Sequence, residues 1–252
     1  MKLIKDDSVI ITPEVELANL LAEDGKPIIT HWYEPSAEFY SDDTQVVRNR
    51  AEIDFWDRAS LVFGSNPVIH EFTTIAGAPT VNTSLSVIPV DFDFSEYTAF
   101  MVCALAPEFT SGTTAIIGSK DTSSVVNAPY LLYAASGSWS VYGAHTNADK
   151  QISYSMTLTE ARKTHLYTLS RSERNGATLN VDGVKVGNST STTAKAKITA
   201  KNCRLLGFNF DSGAFKGKAG IIILCRRDLS DNRFAMKKIE SYLMSKYGIA
   251  TP

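Results

Sequence analysis

The stretch richest in ligand-binding chemistry lies near the middle of the chain. Pro129-Tyr-Leu-Leu-Tyr133 and Gly137-Ser-Trp-Ser-Val-Tyr-Gly-Ala-His-Thr-Asn147 bring Tyr130, Trp139, Tyr142, His145 and Asn147 within 18 positions. Trp139 and Tyr142, with Tyr130 upstream, are residue types that stack on sugar rings. His145 and Asn147 hydrogen-bond hydroxyls, so the group has the mix of aromatic platform and polar side chains that a carbohydrate cleft uses. The competing reading makes Trp139, Val141 and the tyrosines ordinary core of a β-domain, with small residues at its turns, and it is the preferred one.

Other reactive residue types are scattered. His31, His70, His145 and His165 show no His-Glu-x-x-His or similar spacing, so no metal site is expected. Cys103, Cys203 and Cys225 sit in apolar contexts without a Cys-x-x-Cys pair and are expected to be buried free thiols. Asn82-Thr-Ser84 and Asn188-Ser-Thr190 are sequons that read as ordinary loop sequence. Gly-x-Ser-x-Gly, P-loop and Gly-x-Gly-x-x-Gly patterns do not occur, which removes acyl transfer and nucleotide chemistry from consideration and implies no cofactor.

The elements that must carry these residues come from composition and periodicity. The 252 residues, 44% of them hydrophobic, suffice for one large β-domain with its own core. Lys and Arg number 25 against 27 Asp and Glu, so the net charge of −2 gives no field that would gather nucleic acid or an anionic membrane. No apolar run approaches the ~18 residues of a membrane span, and charges occupy Met1-Lys-Leu-Ile-Lys-Asp-Asp7 where a secretory leader would be apolar. Synthesis in the cytosol without a signal peptide, and no membrane insertion, are expected.

Residues 1–45 are expected to form an arm. Thr12-Pro13-Glu14, then Val15, Leu17, Leu20 and Leu21, predict a short capped helix stopped at Asp24-Gly25. Ile28 to Tyr40, with Pro27 before it, Pro35 within it and four aromatics (Trp32, Tyr33, Phe39, Tyr40), predicts irregular chain lying over the domain or docking on another protein. From 46 to 252 the pattern is all-β. Strands are expected near 51–57, 84–91, 97–105, 114–118, 130–134, 138–143, 151–158, 164–171, 177–182, 184–187, 195–199, 203–210 and 218–226. Tyr97–Leu105 and Gly220–Cys225 are apolar on both faces and are expected at the centre. Gln151–Leu158 alternates and should wet one face. Asp182-Gly183 predicts a two-residue hairpin turn. Residues 230–247 predict a closing helix, with Ser230 as N-cap, a Leu229/Phe234 staple, a stripe of Met236, Ile239, Leu243 and Tyr247, and Gly248 as its stop.

Leu206-Gly-Phe-Asn-Phe210, Phe215-Lys-Gly217, Asp228-Leu-Ser-Asp231 and Ile239-Glu-Ser-Tyr-Leu-Met-Ser-Lys-Tyr-Gly-Ile249, in this order after the hairpin, resemble the laminin-G-like, concanavalin A-like domains of bacteriophage and prophage structural proteins. The agreement covers residues 165–250 and reaches loosely back to Ile53–Ser60. The resemblance implies a jelly-roll β-sandwich in a virion component: a tail or receptor-binding protein, a head fibre or a capsid decoration protein. It implies partners among other virion proteins through the 1–45 arm, and leaves self-association open. Some laminin-G and pentraxin domains bind calcium, for which Asp91, Asp93 and Asp121 are the candidates, but no loop gathers them convincingly.

A second resemblance concerns Glu52-Ile-Asp-Phe-Trp-Asp57, which is similar to the Glu-x-Asp-x-(x)-Glu strand of laminarinase-like retaining glycosidases. It would make Glu52 the nucleophile, Asp54 its neighbour and Asp57 the acid/base. Retaining chemistry holds its carboxyls about 5–5.5 Å apart, and Asp57 is one methylene shorter than Glu. The position, at the start of the domain, also departs from that family. The expectation is therefore a binding or assembly module that is not a catalyst, with a host-surface glycan-binding domain as the first alternative and a glycosidase as the second.

Overall fold

The structure, a computed structural model, describes residues 13, 17, 20, 23–35, 40–41, 46–47, 61–62, 72–76, 78–83, 92–119, 130–134, 137–142, 150–197, 203–206 and 215–251. Among these the strands run β1 (Ile29–Tyr33), β2 (Tyr40–Ser41), β3 (Val46–Val47), β4 (Leu61–Val62), β5 (Phe72–Ile75), β6 (Ala78–Thr83), β7 (Tyr97–Leu105), β8 (Thr113–Ser119), β9 (Tyr130–Ala134), β10 (Ser138–Tyr142) and β11 (Lys150–Ser155). A short helix α1 (Leu158–Ala161) precedes β12 (His165–Ser172), β13 (Gly176–Val181), β14 (Val184–Ser189), β15 (Cys203–Leu205), β16 (Gly217–Cys225) and helix α2 (Arg233–Lys246).

The chain is an all-β sandwich, as expected from sequence. One antiparallel sheet has the order β14-β13-β12-β7-β16-β6-β5, with β1 also on β16; the facing sheet has the order β11-β10-β9-β8-β15. Strands β2, β3 and β4 form a separate small ladder. Apolar side chains divide into two cores. One lies between the sheets and the other between the larger sheet and α2. Strand β7 shows why: Tyr97, Ala99, Met101, Cys103 and Leu105 enter the first core, while Phe100 and Val102 enter the second. A strand covered on both faces leaves little room for polar residues on either, which is why its sequence is apolar apart from Thr98, whose buried hydroxyl donates to the Arg227 carbonyl and accepts the Leu229 amide.

Strand β16 is buried in the same way but carries an irregularity. Ala219 pairs with Cys103 and Ile222 with Met101, so three steps on β16 match two on β7. This bulge lets Ala219 and Ile222 share the inter-sheet face and turns Ile221 toward α2. The first half of β16 pairs with β6 and the second half with β1, on the same edge.

Several expectations are corrected. Ile29–Tyr33, expected in irregular chain, is a strand whose partner, Ile222–Cys225, lies some 190 residues downstream, and no local pattern announces so distant a pairing. Ile29 and Trp32 pack toward α2 and Tyr33 toward the facing sheet. Strand β11 stops at Ser155, because the Thr157 hydroxyl accepts the Glu160 amide and starts α1. Lys195–Lys197, expected in a strand, follow a turn in which the Ser191 hydroxyl accepts the Ala194 amide. Strands β5 and β6 were not anticipated. The strands expected at 51–57 and 84–91 lie outside the described residues.

Helix α2 begins at Asn232, not Ser230. The Asn232 side chain accepts the Ala235 amide at 3.1 Å, while Ser230 is held in a preceding turn, its amide donating to Asp228 Oδ1 at 2.9 Å. Moving the cap by two residues places Phe234 second in the helix, 74% exposed and far from forming a staple with buried Leu229. The stop is as expected. Gly248 has φ 64°, and the Ile249 amide donates to the Met244 carbonyl at 2.9 Å in a Schellman closure.

Candidate functional site

The aromatic group expected in a sugar cleft is divided by the pleat of its two strands. Trp139 and Val141 of β10 pair with Tyr133 and Leu131 of β9, and all four side chains enter the inter-sheet core. Trp139 is 1% exposed, with its ring centroid 5.1 Å from that of Tyr133 and 4.5 Å from that of Tyr167. It is a core residue and offers no platform to a ligand. Tyr130 and Tyr142 are cross-strand partners in the same ladder, so the register brings these two candidates together. His145 and Asn147 lie outside the described residues, as do Glu52, Asp54, Asp57, Asp91, Asp121 and His70. Asp93 accepts the Ser95 amide at 2.8 Å and closes a local turn. Among the described residues no three His, Cys, Asp or Glu side chains gather as metal ligands.

A surface site that sequence reading missed runs along α2. Lys238, Ser241, Tyr242, Ser245 and Lys246 form one stripe at helical spacing, on the side away from Met236, Ile239 and Leu243. With Pro13 and Leu17 they line a groove of about 490 Å3, within the ~300–1,000 Å3 typical of small-molecule sites. Leu17 is buried in the helix-side core and fixes the apolar wall.

The helix wall is braced by β1 and by Glu34, which follows it. Trp32 packs edge-on against Tyr242 at 5.6 Å, and Glu34 accepts from Lys246 Nζ at 3.0 Å. The same ammonium donates to the Tyr242 hydroxyl at 3.0 Å and sits 5.5 Å from the centre of its ring. Hydroxyls, ammonium groups and an aromatic ring thus meet apolar side chains in one trough, an arrangement suited to a polyhydroxylated ligand. The signal was present in the sequence as the second stripe of the closing helix, but its opposite wall comes from the N-terminal residues.

Polar networks secure the ends of the sandwich. Asp228 Oδ2 accepts from Ser172 Oγ at 2.7 Å and from Asn175 Nδ2 at 2.9 Å, and Asn175 Nδ2 also donates to Asp231 Oδ2 at 2.8 Å. The Asp228-Leu-Ser-Asp231 segment is therefore a tie between the β12–β13 turn and the start of α2. Buried Arg171 donates to the Ser95 and Ala196 carbonyls, pinning the 191–197 turn. Loss of hydration holds its guanidinium below the usual arginine range.

At the opposite end, His165 Nδ1 lies 2.6 Å from Asp182 Oδ2 and Nε2 lies 2.9 Å from the Glu160 carbonyl. Burial lowers the histidine pKa, but the hydrogen bond and charge of Asp182, with the Glu160 carbonyl, outweigh it, and the net direction is upward.

No family model matches the chain, and no curated protein sequence does. Solved structures do resemble it. Trypanosoma rangeli sialidase superposes with a TM-score of 0.61 at 14% identity, over 95% of this chain and 38% of that one. Domain 4 of AbnA, a GH43 extracellular arabinanase from Geobacillus stearothermophilus solved with arabinotriose, superposes with a TM-score of 0.53 at 13% identity, over 83% of this chain and 97% of that domain. The receptor-binding domain of botulinum neurotoxin D gives a TM-score of 0.56 at 11% identity, covering 86% and 53%.

The chain thus spans little more than a third of the sialidase it matches. The expectation that it is not a catalyst, which rested on the shortened Asp57 and the position of its motif, is corrected by these matches, because the same fold occurs within sialidase chains. At such identities the likeness is one of fold: the chain shares its β-sandwich with proteins of otherwise different sequence.

Proposed function

We propose that the chain is a carbohydrate-recognition module. The observation that carries this reading is the domain-for-domain likeness to the arabinanase domain solved with arabinotriose, which covers 83% of this chain and 97% of that one. The α2 groove supports it, with hydroxyls from Ser241, Ser245 and Tyr242 beside the ammonium groups of Lys238 and Lys246. Hydroxyl-rich ligands need several polar groups at fixed positions and an apolar surface for the sugar's C–H face, and the groove offers both. The Tyr130/Tyr142 ladder pair on β9 and β10 is the second candidate.

The test is a glycan array probed with the whole chain, including arabino-oligosaccharides and sialylated oligosaccharides, with reducing-sugar release followed on every glycan that binds. Binding that falls at least tenfold in Tyr242→Ala, with the melting curve retained, supports the groove. Binding lost instead in Tyr142→Ala moves the site to β9 and β10. An array without binders overturns the reading.

A virion setting is the second reading, favoured by the resemblance of residues 165–250 to bacteriophage structural proteins. In that setting the module displays a glycan- or partner-binding face on a particle, and the first dozen residues join it to another virion protein. Deletion of residues 1–12, which leaves β1 and the groove lining intact, should abolish particle incorporation. Normal incorporation of the truncated chain would end the attachment idea.

A further inference from the structure

We propose that His165 is a pH-operated latch: as imidazolium it ties the crossover between the two sheets to the β13–β14 turn, and on losing its proton it releases the crossover. The argument starts from the acceptors. Asp182 Oδ2, at 2.6 Å from Nδ1, belongs to a carboxylate, and the atom 2.9 Å from Nε2 is the backbone carbonyl oxygen of Glu160. An ionised carboxylate and a carbonyl only accept. Neutral imidazole carries one N–H, so only the doubly protonated ring satisfies both contacts.

The two tethers differ in rigidity. Asp182 has φ 52° in the hairpin turn, its Oδ1 accepts the Leu166 amide at 2.8 Å and its own amide donates to the Leu166 carbonyl at 2.9 Å. It cannot follow a moving partner. Glu160 belongs to the single turn of α1, between β11 of one sheet and β12 of the other, and its side chain is exposed. When the ring loses a proton, the charged, shorter contact to Asp182 keeps the remaining N–H. The Nε2 lone pair then faces the Glu160 carbonyl lone pairs, and the crossover is the side free to move.

Among the described residues, the groups around the ring are few. Asp182 faces it from the hairpin turn, and Glu160 from α1, with Lys163 in ion contact with the Glu160 carboxylate at 2.9 Å. Buried Cys103 is its ladder partner on β7, and the Tyr167 ring lies 6.0 Å away on β12 itself. Asp182 is the strongest influence favouring the charged form. The raised pKa keeps the latch closed through the ordinary histidine range and carries its release to higher pH.

The experiment is a pH titration of the whole chain. NMR of the His165 ring gives its protonation, and amide hydrogen exchange over residues 157–163 reports the crossover, with β7 amides as reference. The expected result is a ring midpoint above ~6.5 and an extra acceleration of exchange at 157–163 at that midpoint, absent from β7. In Asp182→Asn both midpoints should move down together. In His165→Gln, whose carboxamide does not titrate, the step should disappear. A ring that titrates below ~6.5, or exchange at 157–163 that rises only in parallel with β7, overturns the latch. Should His165→Gln fail to fold, the paired shift in Asp182→Asn decides.

Discussion

The Tyr247 hydroxyl accepts the Ile221 amide hydrogen at 2.8 Å, tying the end of α2 to the bulge in β16. The bulge takes that amide out of the ladder with β7, and Tyr247, almost fully buried, replaces the missing acceptor. Burial, the largest influence on this phenol, keeps it protonated far above neutral pH. Gly220 makes the approach feasible, because a Cβ there would lie 2.6–2.8 Å from atoms of the Tyr247 ring and its hydroxyl.

Tyr247→Phe should therefore leave a buried amide without its acceptor and cost about 1–3 kcal/mol. Urea denaturation should show a lowered midpoint with an unchanged slope. Gly220→Ala should be destabilising by a different route, overpacking, at about 1–3 kcal/mol. A Tyr247→Phe midpoint equal to wild type would mean that the amide finds another acceptor.

Glu240 is the buried carboxylate of the helix–sheet interface. Its Oε1 accepts from Thr168 Oγ1 at 2.9 Å and from Asn180 Nδ2 at 3.0 Å. Glu240→Ala strands the Thr168 hydroxyl, leaves Asn180 Nδ2 only the Met236 sulfur at 3.4 Å, and should cost about 2–4 kcal/mol, whereas Glu240→Gln retains an acceptor and should cost about half as much or less. Thermal melts of the two variants, compared with wild type, check the order.

The N-terminal segment is held by Asp24, whose carboxylate takes two bonds from Arg226, at 2.6 and 3.0 Å. Those bonds, then the Lys26 amide, hold its pKa well below the usual carboxylate range. A depressed carboxylate stabilises the fold above its unfolded pKa of ~3.9, and that contribution is lost as pH falls through the folded value. Asp24→Asn should therefore be less stable than wild type near neutral pH, with the gap closing in strong acid. Melts at two pH values give the sign, and a gap that widens in acid would refute it.

Trp139 and Phe234 make a matched pair of aromatic substitutions. Trp139→Ala empties a site in the inter-sheet core and should cost about 3–5 kcal/mol. Phe234→Ser, on an exposed helix turn, should change stability by no more than about 0.5 kcal/mol. Chemical denaturation of both proteins measures the contrast directly.

How much of this was legible depended on sequence distance. Tyr97–Leu105 and Gly220–Cys225 announced themselves because burial on two faces leaves no polar alternation, and both proved central. Asp182-Gly183 was legible because its two positive φ values, 52° and 76°, are a local requirement. The Trp139 strand was legible as a strand, but which residues of it face inward depends on the opposing sheet, so the sugar-stacking role given to Trp139 did not survive. The α2 groove was half legible, its helical stripe being continuous and its opposite wall some 220 residues away. The helix cap moved from Ser230 to Asn232 because Asn175 and Asp228 engage the intervening turn, a competition no local motif encodes.

The divided edge of β16 also sets a timetable for synthesis. Strand β1 is made some 190 residues before the Ile222–Cys225 segment it must join. Until then Ile29, Trp32 and Tyr33 have no ladder partner, and the larger sheet stays open along the edge of β7 that β16 will cover. Such late, distant closure slows folding and prolongs exposure of an adhesive edge. The nascent chain is therefore most vulnerable to aggregation while β7 and β12 are already paired and β16 has not yet left the ribosome.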